Sequence, residues 1–83
     1  MVNRVVADVD LIEATMQLAR KLARGPRVAL ALMKQNFNAA ESGTLAQLLD
    51  LEAHRQIETG RTDDHKEAAR AFVEKRAPAF IGR

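Results

Sequence analysis

The sequence predicts an all-α domain of about four helices after a short N-terminal extended segment. Two observations carry this. Apolar residues recur at the three-to-four-residue spacing of amphipathic helices in successive stretches of the chain. Those stretches are separated by helix-breaking residues at Gly25-Pro26, Ser42-Gly43-Thr44 and Gly60.

The elements follow in order. Residues 2–6, Val2-Asn3-Arg4-Val5-Val6, suit a short strand, too brief to build a sheet alone and better suited to the edge of something else. Asp8 and Asp10 are both candidate N-caps, since a carboxylate there can accept from free backbone N–H groups. Leu11, Ile12, Thr15, Leu18, Ala19, Leu22 and Ala23 then lie on one helical stripe. Gly25 supplies a C-terminal stop and Pro26 suits the first turn of a second helix, which runs to about Ala40. Its run Val28-Ala29-Leu30-Ala31-Leu32-Met33 is apolar on every side, so this half is expected to be buried all round. Thr44 is the expected cap of a third helix with Leu45, Leu48, Leu49, Ala53 and Ile57 on one face, ended by Gly60. Thr62 is the expected cap of a fourth, where Asp63 and Asp64 favour the positive end of the helix dipole. Ala68, Ala69, Phe72 and Val73 form its apolar face, and Pro78 is expected to stop it at Arg76-Ala77. Four short helices cannot wrap the second one fully, so apolar surface is expected to remain uncovered, as at an interface.

Composition narrows function further. The 83 residues make one domain at most, 1–83, of a size at which surface outweighs core. Thirteen basic against eleven acidic residues leave a net charge of +2, with no Lys/Arg block, no Tyr or Trp and three Phe. That argues against nucleic-acid binding. The absence of cysteine removes disulfides and thiolate metal sites and fits a cytoplasmic setting. No apolar run is long enough to span a membrane.

Catalytic constellations are lacking. His54 and His65 are eleven apart and belong to no metal-ligand motif, so no metal site is assigned. Ser42 lies in a turn outside any nucleophile elbow, and the four glycines are isolated. Asp50 and Glu52 point about 200° apart on a helix; Glu58 is isolated, and Asp63 and Asp64 sit where capping acids belong. No catalytic residue is assigned. Phe72 and Lys75, three apart, would share a helix face and could approach one partner together with a ring and an ammonium group. The plainer alternative makes Phe72 core and Lys75 a solvated cation at the helix end.

The order and spacing of several pieces resemble the crotonase (enoyl-CoA hydratase/isomerase) superfamily over essentially the whole chain. They are residues 2–6; Ala19-x-x-Leu22-Ala23-x-Gly25-Pro26-x-x-Ala29-Leu30-x-x-x-Lys34; Leu48-x-x-x-Glu52-x-x-x-Gln56; Asp64-x-x-Glu67; and the closing Ala71-Phe72-x-Glu74-Lys75-Arg76-x-Pro78-x-Phe80. The resemblance implies the C-terminal helical, trimerisation domain of a crotonase-type subunit, without the catalytic core. It implies a parent enzyme, an enoyl-CoA hydratase or isomerase, acting on coenzyme A thioesters in fatty-acid or related acid degradation, with no tightly bound cofactor. It also implies a homo-oligomer, a trimer or a dimer of trimers. In this family the Phe and Lys of the closing motif can lie near the coenzyme A of a neighbouring subunit, which carries that role onto Phe72 and Lys75, with Arg76 a weaker candidate; Phe80, beyond Pro78, is expected to anchor the tail by packing. The start within the matched strand implies a piece of a longer protein, inactive alone and open to dimerisation or swapping through hinges at Ser42-Gly43 and Gly60. The other reading is a stand-alone helical module that self-associates through its Ala/Leu faces.

Overall fold

The computed structural model describes residues 2–83; Met1 lies outside them. The fold is all-helical. A 3-10 turn at Asp8–Asp10 leads into α1 (Leu11–Ala23), followed by α2 (Arg27–Ala40), α3 (Leu45–Gly60) and α4 (Asp63–Val73). Residues 74–83 form a tail without regular structure. The strand expected at residues 2–6 is absent: no second strand among the described residues offers its backbone groups a ladder.

Capping chemistry explains where α3 and α4 begin. Thr44 and Gln47 form a reciprocal capping box at the start of α3, with Gln47 Oε1 accepting from Thr44 N at 2.9 Å. Thr62 Oγ1 accepts from His65 N at 3.1 Å to open α4. The acids expected to cap α1 do not cap it. The 3-10 turn continues into the helix and leaves Asp10 at helical angles, with no side-chain cap bond at Asp10 or at Ala7 before the turn. Pro26 lies just outside α2 rather than in its first turn, with its carbonyl accepting from Leu30 N at 3.0 Å. Gly43 is needed between α2 and α3, because its own N–H donates to Ala39 O at 2.9 Å and a Cβ there would sit 2.8 Å from the same oxygen.

α2 packs along α3, α3 meets α4 less extensively, and α1 packs mainly against its own 3-10 turn. Leu32 is buried, and the Arg55 guanidinium of α3 donates to the Asn36 side chain of α2. Complete burial of the first half of α2 does not occur: Val28, Ala29 and Leu30 are half-buried while Ala31 and Met33 are exposed. Too little chain surrounds α2 to cover it. Among the described residues, Leu32 and Ala71 are the buried apolar side chains, whereas Leu11, Ile12, Leu18, Leu22, Phe37 and Ile57 are exposed.

Shape and area agree. The radius of gyration is 15.9 Å, against roughly 12 Å for a compact domain of this length. The accessible area is 7187 Å², against about 4,900 Å² for a compact monomer of this mass. The uncovered apolar surface expected from the sequence is therefore present.

Candidate functional site

The densest set of specific contacts lies where α4 meets the tail. α4 stops at Val73, ahead of the Arg76-Ala77 end expected from Pro78. A Schellman turn ends it first: Lys75 N donates to Phe72 O at 3.2 Å and Arg76 N to Ala71 O at 3.0 Å. This turn requires a left-handed residue, and Lys75 takes that place with φ 53°. Lys75 therefore lies beyond the helix, and the three-residue helical spacing expected to set it on one face with Phe72 does not apply. Phe72 is 85% exposed, so it is no part of a core in this chain. An exposed ring and an exposed ammonium group thus flank the end of α4.

Past the turn, the tail doubles back along α4. Glu67 receives the Arg76 guanidinium, Nη1 to Oε1 at 2.6 Å and Nη2 to Oε2 at 3.1 Å, and also accepts from Ala79 N at 3.0 Å. Arg76 Nε donates to Glu74 Oε2 at 2.5 Å. The Arg76 guanidinium, helped by the Ala79 amide, holds the Glu67 carboxyl down at about 2 from an ordinary 4.5. Hydrogen bonds to Glu67 and then Glu74 raise the guanidinium in turn.

One turn nearer the start of α4, Asp64 is 2% exposed. Its Oδ1 accepts from Ile81 N at 2.7 Å and its Oδ2 from Gly82 N at 2.9 Å, while its own N–H donates to Arg83 O at 2.9 Å. Arg27 of α2 completes the closure by donating Nη2 to Ile81 O at 2.9 Å. Gly82 has φ +83°, and a Cβ there would collide with the Arg27 guanidinium. Phe80 is half-buried and borders a 160 Å³ recess shared with Pro26, Ala29, Thr62 and Ala68, in keeping with an anchoring role. The sequence suggests for Asp64 a capping acid at the positive end of the helix dipole, not a seat for the tail. An acid in the first helical turn looks the same in sequence whether it faces solvent or a distant amide.

A second concavity, about 380 Å³ and open to solvent, lies between α2 and α3, lined by Met33, Asn36, Phe37, Ala40, Leu48 and Glu52. It is chiefly apolar and has one carboxylate. Asp63 and Glu67 border a polar recess beside the tail, yet Asp63 faces Lys66 Nζ at 3.2 Å and Glu67 is held ionised by Arg76. A carboxyl without a proton near neutrality has none to donate as a general acid. His54 Nδ1 donates to Asp50 O at 2.7 Å within α3, and His65 is exposed on α4. Among the described residues no three His, Asp or Glu side chains converge as a metal cage, and no helix is long and apolar enough to cross a membrane.

The fold and this tail define a helical module with a strapped C-terminal segment and much apolar surface left open. Residues 1–83 all match the family described as Enoyl-CoA hydratase/isomerase, and the chain belongs to that family. It is 45% identical over its whole length to a 1,2-epoxyphenylacetyl-CoA isomerase of Escherichia coli K12, covering 32% of that protein. It is 42% identical to a probable enoyl-CoA hydratase of Rhodobacter capsulatus, again over the whole chain and 32% of the relative. A carnitinyl-CoA dehydratase of Salmonella typhi is 32% identical over all of the chain and 33% of the relative. The chain thus spans about a third of the length of these curated relatives.

Proposed function

We propose that this chain is the C-terminal helical domain of an enoyl-CoA hydratase/isomerase-type subunit, serving oligomerisation and covering the acyl-CoA site, with the catalytic groups elsewhere in the parent protein. The observation that carries this is the open apolar surface on the helices. The excess over a compact monomer is about 2,300 Å². Matched by an equal area from a covering partner, that falls in the range of permanent interfaces, roughly 2,000–5,000 Å² in total. The parent would assemble as a trimer or a dimer of trimers in the cytoplasm.

The relatives differ in the acyl part of their named compounds, epoxyphenylacetyl, enoyl or carnitinyl, and share the coenzyme A part. A tail segment common to them suits the shared part. Phe72 and Lys75 would contact coenzyme A, the ring against adenine and the ammonium group against phosphate. The acyl substrate belongs to fatty-acid or related acid degradation.

Titration of the 83-residue chain with coenzyme A, followed by NMR of Phe72 and Lys75, tests the assignment. Weak saturable binding, abolished by Lys75→Glu, is the expected result. Binding undiminished in Lys75→Glu would remove these contacts from the proposal, and hydration of crotonyl-CoA by the chain would overturn a role without chemistry.

A further inference from the structure

We propose that residues 77–83 form a detachable latch that fixes α4 relative to α2, with Asp64 as its keeper and the α3–α4 corner at Gly60 as its hinge. This is independent of coenzyme A binding. α4 touches α3 over a limited area and has no comparable packing on α2. The ties that join α4 to α2 run largely through the strap. Asp64 takes the Ile81 and Gly82 amides from the α4 side. Arg27 takes the Ile81 carbonyl from the α2 side. Phe80 borders the recess where both helices meet the end of α3.

A buried carboxylate holding two amides gives the strap one defined seat, because releasing either amide leaves Asp64 with an unpaired oxygen. The contacts are nevertheless few and close to solvent, the kind that opens locally without global unfolding. Opening uncovers Asp64 and frees α4 from the Arg27 end of α2. It leaves the α2–α3 pair intact, since Leu32 and the Arg55–Asn36 bond lie outside the strap. Gly60 suits the hinge, because apart from its chain neighbours and the backbone of its own helix nothing lies within 4 Å of where its Cβ would be.

Amide hydrogen exchange on the 83-residue chain tests the latch. The Ile81 and Gly82 amides are expected to be protected, but less than that of Leu32. Asp64→Ala should accelerate their exchange on the order of tenfold or more, because hydrogen bonds to a charged acceptor are lost. The Leu32 amide should change by no more than about twofold, as a local opening requires. Spin labels at positions 34 and 70 should show a broadened distance distribution in the same variant. Should Asp64→Ala fail to fold, Gly82→Ala opens the strap from the Arg27 side with Asp64 intact and should give the same pattern. Exchange of Ile81 and Gly82 at unprotected rates in the wild type would overturn the proposal. So would identical protection of all three amides, or no acceleration in the variant that folds.

Discussion

Lys75 occupies a left-handed position that the Schellman turn demands, and replacing it isolates the backbone contribution. A left-handed L-residue costs roughly 1–2 kcal/mol. Glycine escapes that strain but loses about 0.5–1 kcal/mol more conformational entropy on folding. The net effect of Lys75→Gly is a stabilisation of up to about 1.5 kcal/mol, centred on about 0.75, or a rise in Tm centred on roughly 3–6 °C for a domain of this size. Lys75→Asn should fall between Gly and Lys, and Lys75→Val should lie lowest, because a β-branched side chain tolerates φ > 0 worst. Far-UV circular dichroism melts at one fixed protein concentration measure the series, since association would otherwise shift Tm. A Lys75→Val chain melting with Lys75→Gly would refute the backbone argument. The same glycine removes the ammonium group proposed to meet coenzyme A, so stability should rise while binding falls. Opposite signs in one variant are what a strained functional position produces.

Acid should break the Arg76–Glu67 tie late. Glu67 is depressed from an ordinary 4.5 to about 2, so its contribution is complete above pH 4.5 and is lost as pH falls through 2. The Glu67 carboxyl carbon, followed by NMR, should titrate near pH 2 in the wild type and return toward the ordinary range in Arg76→Gln; a wild-type midpoint near 4.5 would mean the ion pair does not form in solution. Thr44→Ala removes one half of the capping box and should destabilise α3 by about 1 kcal/mol, seen as a lower Tm, with Thr44→Ser retaining most of it; equal melts for Ala and Ser would dismiss the cap.

Much of the fold was legible in sequence because it is locally determined. Thr44 with Gln47 three residues on, Thr62 before two acids and the Gly25 break each act within a few residues of their own position. α3 and α4 accordingly begin where those signals put them. The end of α4 was misjudged because proline marks only the last possible residue, whereas the turn at Lys75 closed the helix earlier without the usual glycine. The apolar run of α2 signalled a need for burial but could not show that it would be met only in part, with Ala31 and Met33 left exposed. The tail contacts were least legible. Asp64 meets amides 17 and 18 residues away, and backbone N–H groups carry no side-chain identity for a pattern to reveal. The family resemblance pointed to the closing motif through Phe72 and Lys75. It singled out neither Asp64 nor Glu67 as an anchor for the tail.

The reliance on such polar ties follows from how little apolar surface the chain buries. Apolar burial is non-directional: it favours contact between helices but sets their angle only when interdigitating side chains surround them. With Leu32 and Ala71 the buried apolar side chains among the described residues, that constraint is weak, and directional bonds take its place. The Arg55–Asn36 bond registers α2 on α3, and the carboxylates of Asp64 and Glu67 seat the tail at two points one helical turn apart. These bonds are satisfied within the chain, so their geometry does not depend on what covers Leu11, Phe37 or Ile57. Covering those residues should therefore add stability without re-aiming Lys75, whose left-handed turn is held by the hydrogen bonds of the α4 end and by Arg76 on Glu67. A module organised this way presents the end of α4 in a set direction whether or not its apolar faces are covered.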